Sequence, residues 1–180
     1  MFKFGAKPNK KVEELISLLP EKGNVLDIGC GAGGNSIFLA EKGFNITAID
    51  NDEEAIKAIK EKYPKINTIN QDILNFKFEA DKYDLILAIN VLNFFKKEDA
   101  ETIIENMIKS LKQGGLIYIQ AFSVNEKCKG FGCLFGKEEL LNYFSKNEVL
   151  ECEELNIKDN HPPLGKHEHS IIRLLVKNSY

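Results

Sequence analysis

The stretch VLDIGCGAGGNS (25–36) is an apolar run that carries an aspartate at its end, Asp27, and breaks at once into a glycine-rich turn. It reads as a strand, a tight turn and the start of a helix at about Asn35. Gly29, Gly31 and Gly33 permit backbone angles and a close ligand approach that a Cβ would forbid, and the helix directs the positive end of its dipole at the loop. A ligand with a nucleoside and an anionic tail suits such a turn.

On either side of this stretch helical and extended patterns alternate. A helix, KKVEELISLL, precedes the first strand at 24–28; a helix at 35–42 leads to a strand at 45–49, and a helix at 53–62 to a short strand at 67–69. A strand at 83–89, a helix at 97–111 stopped by Gly114-Gly115, and a strand at 116–122 continue the series. After a loop at 123–136 come a helix, KEELLNYF, and strands at 148–156 and 170–177 with no helix between them. Those two should pair antiparallel. The chain is therefore expected to form an α/β, Rossmann-like doubly wound sheet of seven strands, mostly parallel with an antiparallel last strand, and with helices on both faces. No repeat or low-complexity tract interrupts it, and 1–180 is read as a single domain.

Two cofactor classes compete for the glycine turn. Gly29, Gly31 and Gly34 also satisfy the dinucleotide pattern G-x-G-x-x-G, with Asp50 at a suitable distance downstream. Asp27 separates them, because a dinucleotide fold keeps an apolar residue there so that the pyrophosphate meets no negative charge. A carboxylate two residues before the first glycine suits a cationic ligand.

The form Asp27-Ile28-Gly29-Cys30-Gly31-Ala32-Gly33 resembles motif I of the class I S-adenosylmethionine-dependent methyltransferases. Asp50 closes the next apolar run, NITAID, and Asp72 follows the third, INTIN, so three acids stand at three successive strand ends. The resemblance implies S-adenosyl-L-methionine as cofactor and S-adenosyl-L-homocysteine as product. It implies that Asp50, with Asn51 beside it, accepts the ribose hydroxyls, since a carboxylate offers bidentate acceptor geometry. It places Asp72 on the adenine amino group, the Ile73 backbone on the ring, Asp27 near the methionine end and the Asn90 backbone on the methionine ammonium. Gly29, Cys30, Gly31 and Asn35 complete the cofactor set. Two blander readings stand beside these: Asp50-Asn51-Asp52 could only cap the helix EEAIKAIKEK, and Asp72 could be an ordinary turn residue.

The segment KDNHPPLGKHEHS between the last two strands holds all three histidines of the chain. An antiparallel last strand would bring its first residues to the sheet edge where ligands bind in open α/β folds. His167, His169 and Arg173 share parity along it. The ending HEHSIIRLLVK, with Val91-Leu92-Asn93-Phe94-Phe95, resembles the tellurite-resistance branch of the methyltransferases, which acts on small soft nucleophiles. That resemblance implies a tellurium or selenium oxyanion or a thiol as acceptor, with His169, Arg173 and His167 as catalytic candidates that hold the anion. The competing structural reading pairs Arg173 with a carboxylate such as Glu153 and leaves the histidines solvated.

Composition bounds the rest. At 43% hydrophobic and 28% charged, 180 residues suffice for a full core. A net charge of −3 without a basic cluster argues against a nucleic-acid partner, and Lys57 to Lys65 reads as a solvated face. No run reaches the roughly 20 apolar residues of a membrane span, and MFKFGAKPNK lacks a signal-peptide core, so a cytoplasmic monomer or homodimer is expected. Cys30, Cys128, Cys133 and Cys152 are too scattered for a disulfide framework. Cys128, Cys133 and the histidines include zinc-ligand types but match no compact zinc spacing, so no metal is expected. The sequence after the fourth strand, Asn90-Val91-Leu92-Asn93, lacks the Pro-Pro-aromatic signature of nucleic-acid amino-methyltransferases, and no Pro-Cys pair serves pyrimidine attack. A small-molecule acceptor is favoured, with Phe94, Phe95, Phe131 and Phe135 as lid or core. A methyltransferase for another small molecule, a non-catalytic S-adenosylmethionine-binding protein and, last, a nicotinamide dehydrogenase remain as alternatives.

Overall fold

A computed structural model describes residues 7–128, 130–161 and 165–180. Seven strands form one sheet in the order β3-β2-β1-β4-β5-β7-β6. The strands are β1 (Asn24–Ile28), β2 (Asn45–Asp50), β3 (Asn67–Asn70), β4 (Tyr83–Ile89), β5 (Leu111–Phe122), β6 (Glu148–His161) and β7 (Gly165–Lys177). The first five run parallel, and β7 pairs antiparallel with both β5 and β6.

The alternation of side chains across the sheet sorts the core into two layers. Val25, Leu85, Leu87 and Tyr118 face α1 (Lys10–Leu15), α2 (Gly34–Glu41) and α3 (Glu53–Lys62), burying Val12, Leu15, Leu39 and Ile59. Leu26, Ile28, Ile86, Ile117 and Ile119 face α4 (Lys97–Ser110) and α5 (Lys137–Tyr143), burying Ile103, Ile104, Met107 and Leu140. Both faces are therefore covered, which is why β1 and β4 can read as near-continuous apolar runs. No helix among the described residues is long and apolar enough to cross a membrane.

The chain order reverses at β1, which pairs β2 on one side and β4 on the other. A crevice opens at such a switch point, beyond the carboxyl ends of the strands. Gly29 leaves β1 there and Asn90 leaves β4, both with positive φ, +68° and +56°.

Several boundaries differ from the sequence reading. The helix expected to run to 111 ends at Ser110, because Leu111 enters β5 and pairs with Tyr83; a register shift before Leu85↔Leu116 then absorbs Gly114-Gly115 inside the strand. The first helix stops at Leu15 and tightens into a 3-10 turn over Ile16–Leu18. The largest correction concerns the segment read as the link between the last two strands. β6 and β7 continue as a paired ribbon to His161↔Gly165, so His167 and His169 are strand residues facing Asp159 and Ile157. Pro162, Pro163 and Leu164 lie outside the described residues, as does Lys129 of the 123–136 loop.

Candidate active site

The glycine turn is held on the end of β2 by backbone bonds, the amides of Gly29 and Cys30 both donating to Ile49 O at 2.8 and 3.0 Å. A Cβ on Gly29 would stand 2.5 Å from Val91 Cγ2, so the turn and the chain leaving β4 are in contact there. A Cβ on Gly31 would meet nothing within 4 Å. Gly31 therefore borders open space: a cavity of about 450 Å³ lined by Gly29, Gly31, Asp50, Asn51, Gln71, Asp72, Ile73, Asn90, Val91, Phe94 and Phe95, with Ile49 at its base. That volume lies within the ordinary range for a bound cofactor.

Asp50 is not the cap of α3. Asp52 takes that position, its side chain accepting from the Ala55 amide at 3.1 Å. The Asp50 carboxylate instead accepts from the Gly31 amide at 2.7 Å and the Asp52 amide at 2.9 Å, which fixes its plane at the cavity wall while leaving further lone pairs. Asp72 accepts from the Leu74 amide at 3.0 Å, capping a 3-10 turn at Ile73–Asn75, and it too lines the cavity. Capping and cavity lining thus coincide at Asp72 and are divided between two residues at Asp50 and Asp52.

The structure sets three expected cofactor residues back from the cavity. Asp27 is buried below the turn and accepts from Ser36 Oγ at 2.6 Å; burial pushes its carboxyl up to about 6, the Ser36 hydroxyl working against that shift. Cys30 does not line the cavity either, and its thiol is pushed up by burial and by the charges of Asp27 and Asp50, so it stays protonated. The Asn35 side chain accepts from the Asn9 amide at 2.8 Å, tying α2 to the N-terminal segment. Gln71 lines the cavity and was not anticipated; its position between β3 and Asp72 was the available signal.

The residues fit a nucleoside with a cationic tail. The carboxylates of Asp50 and Asp72 supply acceptors along one wall, Gly31 leaves room for close approach, and Val91 and Phe95 supply apolar surface. Asp50 beside Gly31 leaves no clear berth for a pyrophosphate, since the amides of the two turn glycines that line the cavity are already engaged, Gly31 with the Asp50 carboxylate and Gly29 with Ile49 O.

Past Asn90 a polar relay leads out of the cavity. Gln120, buried in β5, donates from Nε2 to Asn90 Oδ1 at 3.1 Å, and its Oε1 accepts from Arg173 Nε at 3.3 Å and from Asn9 Nδ2 at 3.4 Å. Arg173 Nη1 also pairs with Glu153 at 3.2 Å, the alternative the sequence left open. Asn9, Gln120, Glu153 and Arg173 line a second cavity of about 550 Å³ with Lys10, Lys11, Glu14, Glu151 and Ile157. Lys11 is paired with Glu151 and with Glu14. A single glutamine in the apolar run LIYIQAF was the sequence signal for this relay.

His167 and His169 lie together but line neither cavity. Their Nε2 atoms are 2.9 Å apart, and His169 Nδ1 meets Glu126 Oε2 at 3.1 Å. Glu126, from the 123–136 loop, was not anticipated. Burial tends to raise its carboxyl, but the amides of Cys128 and Ser170 and the side chains of Cys128 and His169 outweigh that and hold it below the ordinary carboxylate range. The His169 ring packs on Phe122 at 4.9 Å, Phe122 on Phe131 at 4.3 Å, and Phe131 on Phe94 at 6.0 Å, so an aromatic row joins the histidines to the cavity beside Gly31. Phe94 is 67% exposed, whereas Phe135 is fully buried and belongs to the core rather than to a lid. All four cysteines are unbridged.

Comparison with known proteins finds the same architecture. The family model described as tellurite resistance protein TehB matches residues 7–163. A probable S-adenosyl-L-methionine-dependent methyltransferase TehB of Haemophilus influenzae is 34% identical over 137 residues, which is 72% of this chain and 48% of the relative. A ubiquinone biosynthesis O-methyltransferase of Rickettsia akari is 34% identical over 128 residues, 68% of this chain and 49% of that protein. The crystal structure of TehB from Haemophilus influenzae superposes with a TM-score of 0.84 at 27% identity, covering 94% of this chain and 62% of that one. The chain spans about half the length of these two curated relatives.

Proposed function

The chain belongs to the tellurite resistance protein TehB family, within the class I S-adenosylmethionine-dependent methyltransferases, and on that premise we propose that it transfers a methyl group from S-adenosyl-L-methionine to a small soft nucleophile, a tellurium or selenium oxyanion or a thiol. The observation that carries this reading is the cavity at the switch point, where Asp50, Asp72 and Asn90 stand on successive strand ends around the space left by Gly31.

In this account Asp50 accepts the ribose hydroxyls with Asn51 beside it, Asp72 accepts from the adenine amino group, and the Ile73 backbone borders the ring. Gly29 and Gly31 admit the close approach. Asn90 holds the methionine end, oriented by Gln120, while Asp27, Cys30 and Asn35 act from behind by fixing the turn and α2. The cofactor supplies a methyl group on a positively charged sulfur.

The acceptor approaches past Asn90, from the side where Phe94, Phe131 and Phe122 lead to His169 and where Arg173 reaches Gln120. A lone pair of the nucleophile forms the new bond to the methyl carbon as the carbon–sulfur bond breaks, its electron pair remaining on sulfur. An oxyanion or thiolate already bears that lone pair, so no strong base is needed. Alignment at near-attack distance supplies several kcal/mol, on the order of 7 or more in the best cases. His169, His167 and Arg173 are the residues on the acceptor side.

Purified chain incubated with S-adenosyl-L-methionine and selenite, tellurite or a small thiol should form S-adenosyl-L-homocysteine above the acceptor-free rate. Binding of the cofactor without turnover on any of these would instead make it a binding protein, and turnover only on a phenol would move it towards the O-methyltransferases.

A further inference from the structure

The two histidines of β7, placed above on the acceptor side, also form an arrangement with each other that the methyl transfer itself does not explain. His167 Nδ1 lies 2.8 Å from the Gly165 carbonyl. A carbonyl oxygen only accepts, so this ring nitrogen carries the hydrogen. His169 Nδ1 lies 3.1 Å from Glu126 Oε2. That carboxylate already accepts through both oxygens, from the Cys128 amide at 2.6 Å and the Ser170 amide at 2.9 Å, so His169 Nδ1 donates as well.

A neutral imidazole has one N–H. With both hydrogens on Nδ1, the two Nε2 atoms present lone pairs to each other at 2.9 Å. Two facing lone pairs at that distance require a positive charge between them, either a shared proton or a metal cation. Two imidazole nitrogens on one tetrahedral zinc ion, each at its usual bond length, stand about 3.3 Å apart. The observed separation is within a few tenths of an ångström of that value.

A third donor completes the set. Asp159 of β6 lies directly opposite His167 of β7 in the strand register, and a carboxylate oxygen of Asp159 and ring nitrogens of His167 and His169 all fall within 4.8 Å of one another. We propose that His167, His169 and Asp159 bind a divalent transition-metal cation of the zinc class at the end of the β6/β7 ribbon, with Glu126 fixing the His169 tautomer from behind. Two imidazoles and one carboxylate favour zinc, cobalt or nickel over magnesium or calcium, which take oxygen ligands. The Glu126–His169 pair is the carboxylate–histidine arrangement that orients a metal-bound ring and raises its basicity. Cys128 also lies near Glu126 and His169, but it is absent from the group that joins Asp159 to the two rings, so it is not counted as a ligand.

The site stands on ring geometry and does not depend on the transferase reading. Its position would nonetheless matter to an anionic acceptor, because a bound cation would attract an anion to that end of the ribbon.

The test is calorimetric titration of the chelator-treated full chain with Zn²⁺, followed by Co²⁺ and its visible absorption. One Zn²⁺ per chain should bind, and Co²⁺ should give a ligand-field spectrum. Asp159→Asn and His167→Ala should each weaken binding at least tenfold with an unchanged melting temperature in the metal-free state, and Glu126→Gln should weaken it roughly tenfold to a hundredfold. Absence of Zn²⁺ and Co²⁺ binding by the unaltered chain would overturn the proposal. So would Zn²⁺ affinity indifferent to both His167→Ala and Asp159→Asn, or a nitrogen NMR spectrum showing a proton-bridged imidazole pair that Zn²⁺ does not perturb.

Discussion

The Gly31 amide donates to Asp50 Oδ2 at 2.7 Å, a bond that joins the glycine turn after β1 to the end of β2. The same contact sets the plane of the carboxylate that borders the cavity, so the turn and the carboxylate proposed to accept the ribose hydroxyls are built as one unit. Preorganisation of this kind lowers the ordering cost of binding.

Asp50→Ala should weaken S-adenosyl-L-homocysteine binding by about 1.5–3 kcal/mol, the usual worth of hydrogen bonds to a charged group. Calorimetry measures this directly, and an affinity equal to that of the unaltered chain would remove Asp50 from the ribose.

Two glycines of the same turn should behave differently. Gly29→Ala drives a Cβ to 2.5 Å from Val91 at φ +68°, and should cost about 2–4 kcal/mol in urea unfolding. The double variant with Val91→Ala should recover part of that loss. Gly31→Ala meets no atom within 4 Å, so its folding cost should stay near 1 kcal/mol while cofactor affinity falls. Equal effects on folding at the two sites would contradict the packing described.

Stability should carry a mark of Asp27. Its carboxyl is pushed up to about 6 by burial against an ordinary value of 3.8, the Ser36 hydroxyl opposing the shift. The folded chain thus holds this proton more tightly than the unfolded chain, so the Asp27 contribution falls as pH rises from about 4 to about 6 and is level above that. Asp27→Asn keeps an acceptor for Ser36 and removes the slope. Relative to the variant, the unaltered chain should lose on the order of 3 kcal/mol across that window; parallel urea profiles would show that Asp27 is not buried as described.

Arg173 bonds Gln120 and does not line the cavity beside Gly31, so the proposal assigns its effect to the acceptor step. Arg173→Ala should lower turnover with selenite roughly tenfold to a hundredfold by misplacing the acceptor, with S-adenosyl-L-homocysteine affinity unchanged. Folding should change little, since its half-exposed pair with Glu153 is worth under about 1 kcal/mol. Unchanged turnover would leave Arg173 with its ion pair alone.

The parts of the fold most legible in the sequence were those with two covered faces. β1 and β4 carry nearly uninterrupted apolar runs and fell where expected, because burial on both sides leaves few polar positions to confuse the reading, while α3 was legible from the helical period of its single buried face. The β6/β7 ribbon was read too short for the opposite reason. Beyond Asn156↔Ser170 its arms, NIKDNH and GKHEH, carry few apolar residues, so the backbone pairing left almost no trace in side-chain pattern. Buried polar hubs were equally silent. Asn93 accepts from the Phe122 amide at 2.7 Å and donates to Cys133 O at 2.8 Å, fixing the chain after β4 against β5, yet in sequence it is one asparagine among apolar neighbours. Glu126 and Gln120 act across 43 and 53 residues of chain to His169 and Arg173, and no local spacing encodes such pairs. The glycine turn and its acids were legible because backbone geometry confines them to one short segment and to strand ends.

The most direct test of the central claim is calorimetric titration of the purified chain with S-adenosyl-L-homocysteine and, separately, with NAD. The account predicts one equivalent of S-adenosyl-L-homocysteine bound with a Kd on the order of micromolar, about −8 kcal/mol, and no heat with NAD. Saturable binding of NAD without binding of S-adenosyl-L-homocysteine would contradict it, and would assign the cavity around Gly31 and Asp50 to a dinucleotide.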